Sequence, residues 1–495
     1  MSKLRNIKEN PFSRFSAEEE EDIVSIYLKP RYYDALKSNA KQGNSRILVG
    51  QRGLGKSATI FVLFNELAQN KTLPLLISRY DGFPLTNNKN YFLYKILQSL
   101  SKEIVRVLQK KPDLTKKMNK TMQGQLSFFI ELFYDHNFAE EFIDQAKIIK
   151  SKKRINRFKT FFNRHLRLIN SIVNGIVKVT SSIIRKSIGL PEMNLEEINI
   201  TYFNEMPIDR IRTMTVDEVV SMGSEKLNVM LKSLISIALA IGFDSIVVLF
   251  DKIDEYSEVN SDINKVADFV LAILTDTDLL YTDNLSIVFS LWSEVKHTLN
   301  NKGVRFDKFQ DTDISWRDNE LESLINKRLL YYSNIKEFPV TLEQLLPFDN
   351  DRKTVLELAD GSPRSLISLL NRIYDEENAT SDVTAFSSDA INRGLLEFCI
   401  RFDYLSLQPS KTTNKSEFYS WLNKVLIIKK PTFVSSDVQS VFTVKNPTAS
   451  KYISEMLRMG IIKNLEYQDK DGKPLYEVLD PRIRYLMKRG VTKLS

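Results

Sequence analysis

The residues Gly50-Gln51-Arg52-Gly53-Leu54-Gly55-Lys56-Ser57 fit the pattern G-x-x-x-x-G-K-S without a mismatch. Glycines at these spacings let backbone N–H groups curl around a polyphosphate without Cβ clashes. A helix starting at the end of the loop adds its positive dipole end. The Lys56 ammonium then reaches the β- and γ-phosphates, and the Ser57 hydroxyl ligates Mg2+. Gly50, Gly53, Gly55, Lys56, Ser57 and Ala58 are therefore the expected nucleotide contacts. A second acidic element, Phe250-Asp251-Lys252-Ile253-Asp254-Glu255, closes an apolar run. Asp251 at that strand end is expected to hold Mg2+ through water, together with Ser57. Asp254 or Glu255 is left to orient an attacking water, with Glu255 preferred. The guanine-reading pattern N-K-x-D is missing from a suitable loop. Asn264-Lys265-Val266-Ala267-Asp268 has one residue too many and falls on an expected helix, so ATP is expected rather than GTP.

These motifs need elements to position them. Ile47-Leu48-Val49 reads as a buried strand, and after the glycine-rich loop the pattern turns helical at Ile60, Val62, Leu63 and Leu67. Pro74 to Ser78 looks like a further strand, giving a strand–loop–helix–strand unit of an α/β domain. An apolar helix over Lys226 to Ile241 precedes the buried strands Ser245 to Phe250 and Leu285 to Leu291. Upstream, the acidic run Glu18 to Asp22 is expected to open a helix reaching about Tyr27, with a second helix near Pro30 to Ser38. Lys89 to Pro191 has helical periodicity and no clear strand, so it reads as a helical insertion.

In the tail, Asn446 reads as an N-cap with Pro447 at the first helical position. The helix to Met459 is expected to bury Ile453, Met456 and Leu457, leaving Thr448, Ser450, Lys451, Ser454 and Arg458 outward. Gly460 ends it, and Lys463 to Val478 can form a hairpin. Helix, turn, second helix, then hairpin is the winged-helix order, which makes Lys451 and Lys470 candidate DNA contacts.

The chain has 495 residues, 43% hydrophobic and 27% charged, which is globular composition and enough for about three domains. Gly and Pro are sparse, at 16 and 15, so helix should dominate. A single cysteine, Cys399, can form neither an internal disulfide nor a thiolate zinc site. The N-terminus carries no apolar secretion signal, and the apolar stretch Leu234 to Phe250 is broken by Gly242 and Asp244. A cytoplasmic protein with no membrane partner is expected.

The formal net charge of +8 is unevenly spread: Lys147–Lys186 carries +12, Lys411–Ser495 carries +8, and the remainder is acidic at −12. Lys147 to Arg167 interleaves nine basic residues with Phe158, Phe161 and Phe162. On a helix, Ile155, Phe158, Phe162 and Leu166 would share one face. Three occupants compete for it: a nucleic-acid backbone, an anionic membrane surface, or an acidic partner or second copy of the chain. Lys152, Lys153, Arg154 and Arg157 are the candidate DNA contacts on the first reading.

Taken together, VGQRGLGKSA, LFDKIDE, a strand carrying Ser290, GSPR at Gly361 to Arg364 and the winged-helix-like tail resemble AAA+/STAND-type P-loop ATPases. The nearest likeness is to the branch related to origin-recognition initiators and to bacterial ATPases of defence and repair loci. It covers roughly Asn10–Asn88, Val219–Tyr374 and the tail. The resemblance implies an α/β P-loop NTPase core (parallel sheet, helices on both sides) with a large helical insertion, a helical lid and a C-terminal winged-helix domain. The corresponding segments are 1–44 (N-terminal helices), 45–90 with 191–341 (core), 91–190 (insertion), 342–410 (lid) and 411–495 (winged helix). Ser290 would be a polar sensor and Arg364 a lid arginine contacting the γ-phosphate. An arginine finger from a neighbouring subunit is also implied, with Arg305 the first candidate and Arg317 and Arg328 left open. Many ATPases of this class place their catalytic glutamate where this chain has Lys252, so slow hydrolysis is expected. The implied role is coupling of nucleotide state to DNA or a partner protein, in antiviral defence or DNA maintenance. Alternatives are a nucleotide-gated scaffold or sensor, and a DNA-binding regulator with a vestigial P-loop.

Overall fold

The computed structural model describes residues 4–133, 216–260, 262–306, 309–377, 383–407, 414–468 and 472–494. The candidate DNA contacts Lys152, Lys153, Arg154, Arg157 and Lys470 lie outside the described residues.

Strands β1 (Arg46–Val49), β2 (Thr72–Ile77), β3 (Ser245–Phe250), β4 (Leu285–Leu291) and β5 (Asp311–Asp313) form one sheet in the order β2-β3-β4-β1-β5. All neighbours run parallel. A sheet covered on both faces demands apolar side chains at nearly every strand position, and β3 and β4 are buried throughout. Alternation sorts their side chains. Leu48, Val247, Leu249 and Val288 join Ile60 and Leu63 of the helix Lys56–Ala68 on one face. Ile47, Val49, Ile246, Val248 and Phe250 pack on the other, with Phe92, Leu97, Leu234 and Val266. This is a parallel α/β sheet covered by helices on both faces, as the apolar runs implied. β5 gave no apolar signal because it is a short edge strand of sequence Asp-Thr-Asp.

The acidic run does not open a helix at Glu18. The Glu19 carboxylate instead accepts from the Phe15 and Ser16 N–H groups at 3.0 and 3.2 Å, holding a turn. Helix begins only at Ile23–Ile26, capped by Asp22, and the next spans Tyr33–Lys41. Within the stretch assigned to the insertion, the helix Lys89–Lys110 lays Phe92, Leu93, Ile96, Leu97 and Leu100 onto the sheet, beside the helix Ser224–Ala240. A 3.6-residue period marks an amphipathic helix, not what that helix covers.

Toward the C-terminus, the helix Lys415–Ile428 is followed by β6 (Thr432–Val434), the helices Ser435–Phe442 and Asn446–Arg458, and the strands β7 (Ile462–Gln468) and β8 (Pro474–Val478). The strands form an antiparallel sheet in the order β6-β8-β7. Asn446 is the first helical residue rather than the cap; its side chain accepts instead from Gln439 at 3.3 Å. Ile453 and Met456 are buried as expected, whereas Leu457 is exposed, since it falls off the stripe set by Ala449, Ile453 and Met456.

Candidate nucleotide-binding site

The glycine-rich loop joins β1 to the helix Lys56–Ala68. Gly53 and Gly55 sit at φ +87° and +92°, in the left-handed region that favours glycine. Gly53 has a second constraint, because a Cβ there would meet the Ser362 hydroxyl at 2.7 Å. Lys56 Nζ donates across its own loop to the Gly50 and Gln51 carbonyls at 2.8 and 3.0 Å. Burial lowers the Lys56 pKa, while Asp254, Asp251 and Glu294 oppose that fall.

Strand register explains how Asp251 and Ser290 meet. β4 lies between β1 and β3, pairing Leu48 with Ser290 and Phe250 with Phe289. One step beyond Phe250, Asp251 therefore comes level with Ser290. Asp251 is 5% exposed; its N–H donates to the Ile77 carbonyl at 3.0 Å, and its own carbonyl accepts from the Tyr80 hydroxyl at 2.8 Å. Burial raises the Asp251 carboxyl pKa, against the lowering influence of the Ser57 and Ser290 hydroxyls. The buried Ser290 hydroxyl has no close hydrogen-bond partner of its own among the described residues. An oxygen-only donor set of Ser57 and Asp251, with the Ser290 hydroxyl facing the carboxylate, suits a hard cation such as Mg2+. Among the described residues no cluster of three His, Cys, Asp or Glu could hold a metal alone. Phosphate oxygens would have to complete the shell.

Lys252 adopts φ +58° and pairs through Nζ with Glu18 Oε1 at 2.6 Å. The next three residues, Ile253–Glu255, form a single 3-10 turn. Asp254 is partly buried and acts electrostatically on both Lys56 and Asp251, whereas Glu255 is exposed and acts on Lys252. Of the two carboxylates, Asp254 bears more directly on Lys56.

The helix Pro363–Glu376 closes the site from the other side. Ser362 caps it, accepting from the Ser365 N–H at 3.2 Å. The same Ser362 hydroxyl and the Arg364 N–H both reach the Gly53 carbonyl at 3.3 Å. A cavity of about 540 Å³ results, lined by Lys56, Ser57, Asp251, Asp254, Glu255 and Arg364. Gly53, Gly55 and Ala58 also line it, and Gly50 holds Lys56 from behind. Arg305 and Arg317 are exposed and outside this lining. Arg328 does line the cavity, but it is 2% exposed, ion-paired with Glu20 and bonded to the Arg14 carbonyl at 3.2 Å, so its own chain holds it. Lys451 is exposed on the distant helix Asn446–Arg458.

Sequence reasoning missed the segment from Arg14 to Glu20, which forms one wall of the cavity. Its only signal was the acidic run, and the partners Lys252 and Arg328 lie hundreds of residues away. It also missed Trp316, whose indole N–H donates to the Leu54 carbonyl at 2.9 Å and steadies the loop. The segment Asn264–Asp268 lies on the helix Ile263–Leu274, and Asp268 pairs with Lys302 at 2.6 Å, so it forms no base-reading loop.

No protein-family profile matches the chain, and no curated protein matches it. Among solved structures, it is similar to the ORC2 protein of Aeropyrum pernix in ADPNP–ADP complexes, at 9% identity over 95% of this chain and 98% of that one, with a TM-score of 0.39. A second likeness is to the ORC1 protein of Aeropyrum pernix in complex with DNA, at 10% identity, 95% and 96% coverage and a TM-score of 0.35. A third is to Drosophila ORC bound to DNA, at 10% identity, 96% and 93% coverage and a TM-score of 0.28. These superpositions are loose, and the assignment of the site rests on its own residues.

Proposed function

We propose that the protein binds ATP with Mg2+ and couples nucleotide occupancy to the position of the helix Pro363–Glu376. The convergence of Lys56, Ser57, Asp251 and Arg364 on one cavity carries this reading. Lys56 and Arg364 supply charge for the phosphates, and Ser57 and Asp251 would hold the cation, which neutralises charge between the terminal phosphates when bound. Asp254 is the better-placed carboxylate to orient water, with Glu255 second. Lys252, held by Glu18, occupies the position after Asp251, which supports slow turnover or a nucleotide-gated scaffold. The order of helices and antiparallel strands after Lys415 supports a winged-helix reading, with Lys451 toward DNA. A place in defence or DNA maintenance follows from the sequence resemblance alone.

ATP titration and turnover measured side by side test this. Lys56→Ala should weaken ATP binding at least about tenfold, losing charge-assisted contacts of roughly 1.5–3 kcal/mol. Asp254→Asn should slow turnover about 100-fold with binding intact, and more than Glu255→Gln does. Unchanged ATP affinity in Lys56→Ala would reject the nucleotide site. Wild-type binding with no turnover, with or without DNA, selects the scaffold. Charge reversal at Lys152, Lys153 and Arg154 that leaves salt-dependent DNA binding intact removes the insertion as a DNA surface.

A further inference from the structure

Behind the glycine-rich loop lies a second recess of about 320 Å³, between the helix Pro363–Glu376, the end of the helix Ser388–Arg401 and the segment that follows it. Five arginines line it (Arg52, Arg364, Arg372, Arg401 and Arg482) against two aspartates, Asp360 and Asp403. Two of the arginines, Arg364 and Arg372, stand on one helix. Arg364, Ser368 and Arg372 recur every four residues, so they fall on one face of the helix at steps of about 6 Å along its axis.

The charges in this recess are not balanced internally. Arg482 is buried and spent on Asp480 and Asp360, which also removes Asp360 as a partner for the others. Among the described residues Arg401 pairs only with Glu397 of its own helix, through side chains 63% and 31% exposed, an interaction weak enough to exchange. Arg52, Arg364 and Arg372 make no ion pair among the described residues. Guanidinium groups gathered in one recess repel until an anion enters, and their forked donors match phosphate oxygens bidentately. Ser365 and Ser368 add hydroxyls to the same wall.

We propose that this recess is a second phosphate-binding site, on the opposite side of the glycine-rich loop from the cavity of Lys56, Ser57 and Asp251, for a small phosphate-bearing ligand. Its volume lies at the low end of small-ligand sites, and a recess suits a compact anion better than a duplex, whose phosphates are met on open surfaces. Because Arg52, Gly53 and Arg364 border both cavities, a ligand here would sense, and alter, the state of the first site. The site does not depend on ATP occupying the loop.

Calorimetric titration of the full chain with inorganic pyrophosphate tests it. An equivalent of pyrophosphate should bind Lys56→Ala, should be retained in Arg372→Lys/Arg401→Lys, and should be weakened more than tenfold in Arg372→Glu/Arg401→Glu. Thermal melting of each variant checks that it is folded. A competition arm with AMP separates the sources: displacement identifies a nucleotide phosphate, and its absence a free phosphate anion. The proposal is overturned if Lys56→Ala binds no pyrophosphate, if the arginine reversals leave its binding unchanged, or if only duplex DNA displaces it.

Discussion

Asp251 is a carboxylate whose environment opposes its own charge. Burial raises its pKa above the ordinary 3.8, with the Ser57 and Ser290 hydroxyls pulling the other way. Folding alone therefore favours the protonated form: this group's contribution to stability is present below its unfolded value and lost as pH rises through the folded one. Cation binding has the opposite sign, since only the carboxylate ligates Mg2+. The Mg2+-dependent part of ATP affinity should thus weaken on acidification earlier than an ordinary aspartate would give, and Asp251→Asn should abolish both that part and its pH profile. ATP titrations with and without Mg2+ across pH measure this; a wild-type Mg2+ response in Asp251→Asn would refute the ligand assignment. Asp251 was legible in the sequence because it ends an apolar run. The Glu18–Lys252 pair was not, because two surface-type charges far apart in the chain carry no local sign of meeting.

At the scale of elements, the apolar runs of β3 and β4 announced a sheet buried on both faces. The cover of the sheet was harder to read: Lys89–Lys110 has the same period whether it packs on strands or stands apart, and its role emerges only from Phe92, Ile96 and Leu100 in the core. Also invisible was how closely the helices Pro363–Glu376 and Ser388–Arg401 approach. Gly394 stands at their crossing, and a Cβ there would lie 2.7 Å from the backbone N and Cα of Ile373. Backbone cannot rotate away as a flexible side chain can, so Gly394→Ala must push the helices apart, at an overpacking cost of about 1–3 kcal/mol. The expected outcome is a lower Tm together with weaker ATP binding, because the displaced helix carries Ser362 and Arg364 away from Gly53. A lower Tm with unchanged ATP affinity would show that this helix does not serve the nucleotide site.

Across the whole molecule, the buried cation Arg482 is one of the contacts that tie the C-terminal elements to the side of the glycine-rich loop. Arg482, 2% exposed, forks onto Asp480 at 2.7 and 2.8 Å, reaches Asp360 at 3.4 Å and lies 3.7 Å from the centre of the Phe402 ring. Asp360 ends the helix Asp349–Ala359 in a left-handed conformation two residues before Ser362, so this contact joins the last helix to the start of the element that touches Gly53. Replacing Arg482 with methionine would keep much of the bulk and leave two carboxylates facing a vacated ion-pair position, a loss of about 3–5 kcal/mol. Cys399 offers the readout. It is fully buried, and burial pushes its thiol up to about 12, with Asp480 adding to the rise and Arg482 opposing it. In the native wild type this single thiol should react with a disulfide reagent only through unfolding. In Arg482→Met the labelling rate should rise at least about 100-fold, the opening equilibrium shifting tenfold per 1.4 kcal/mol. If the thiol stays as protected in Arg482→Met as in the wild type, the buried pair does not hold the two halves together, and the nucleotide site would have to communicate with the C-terminal elements by another contact.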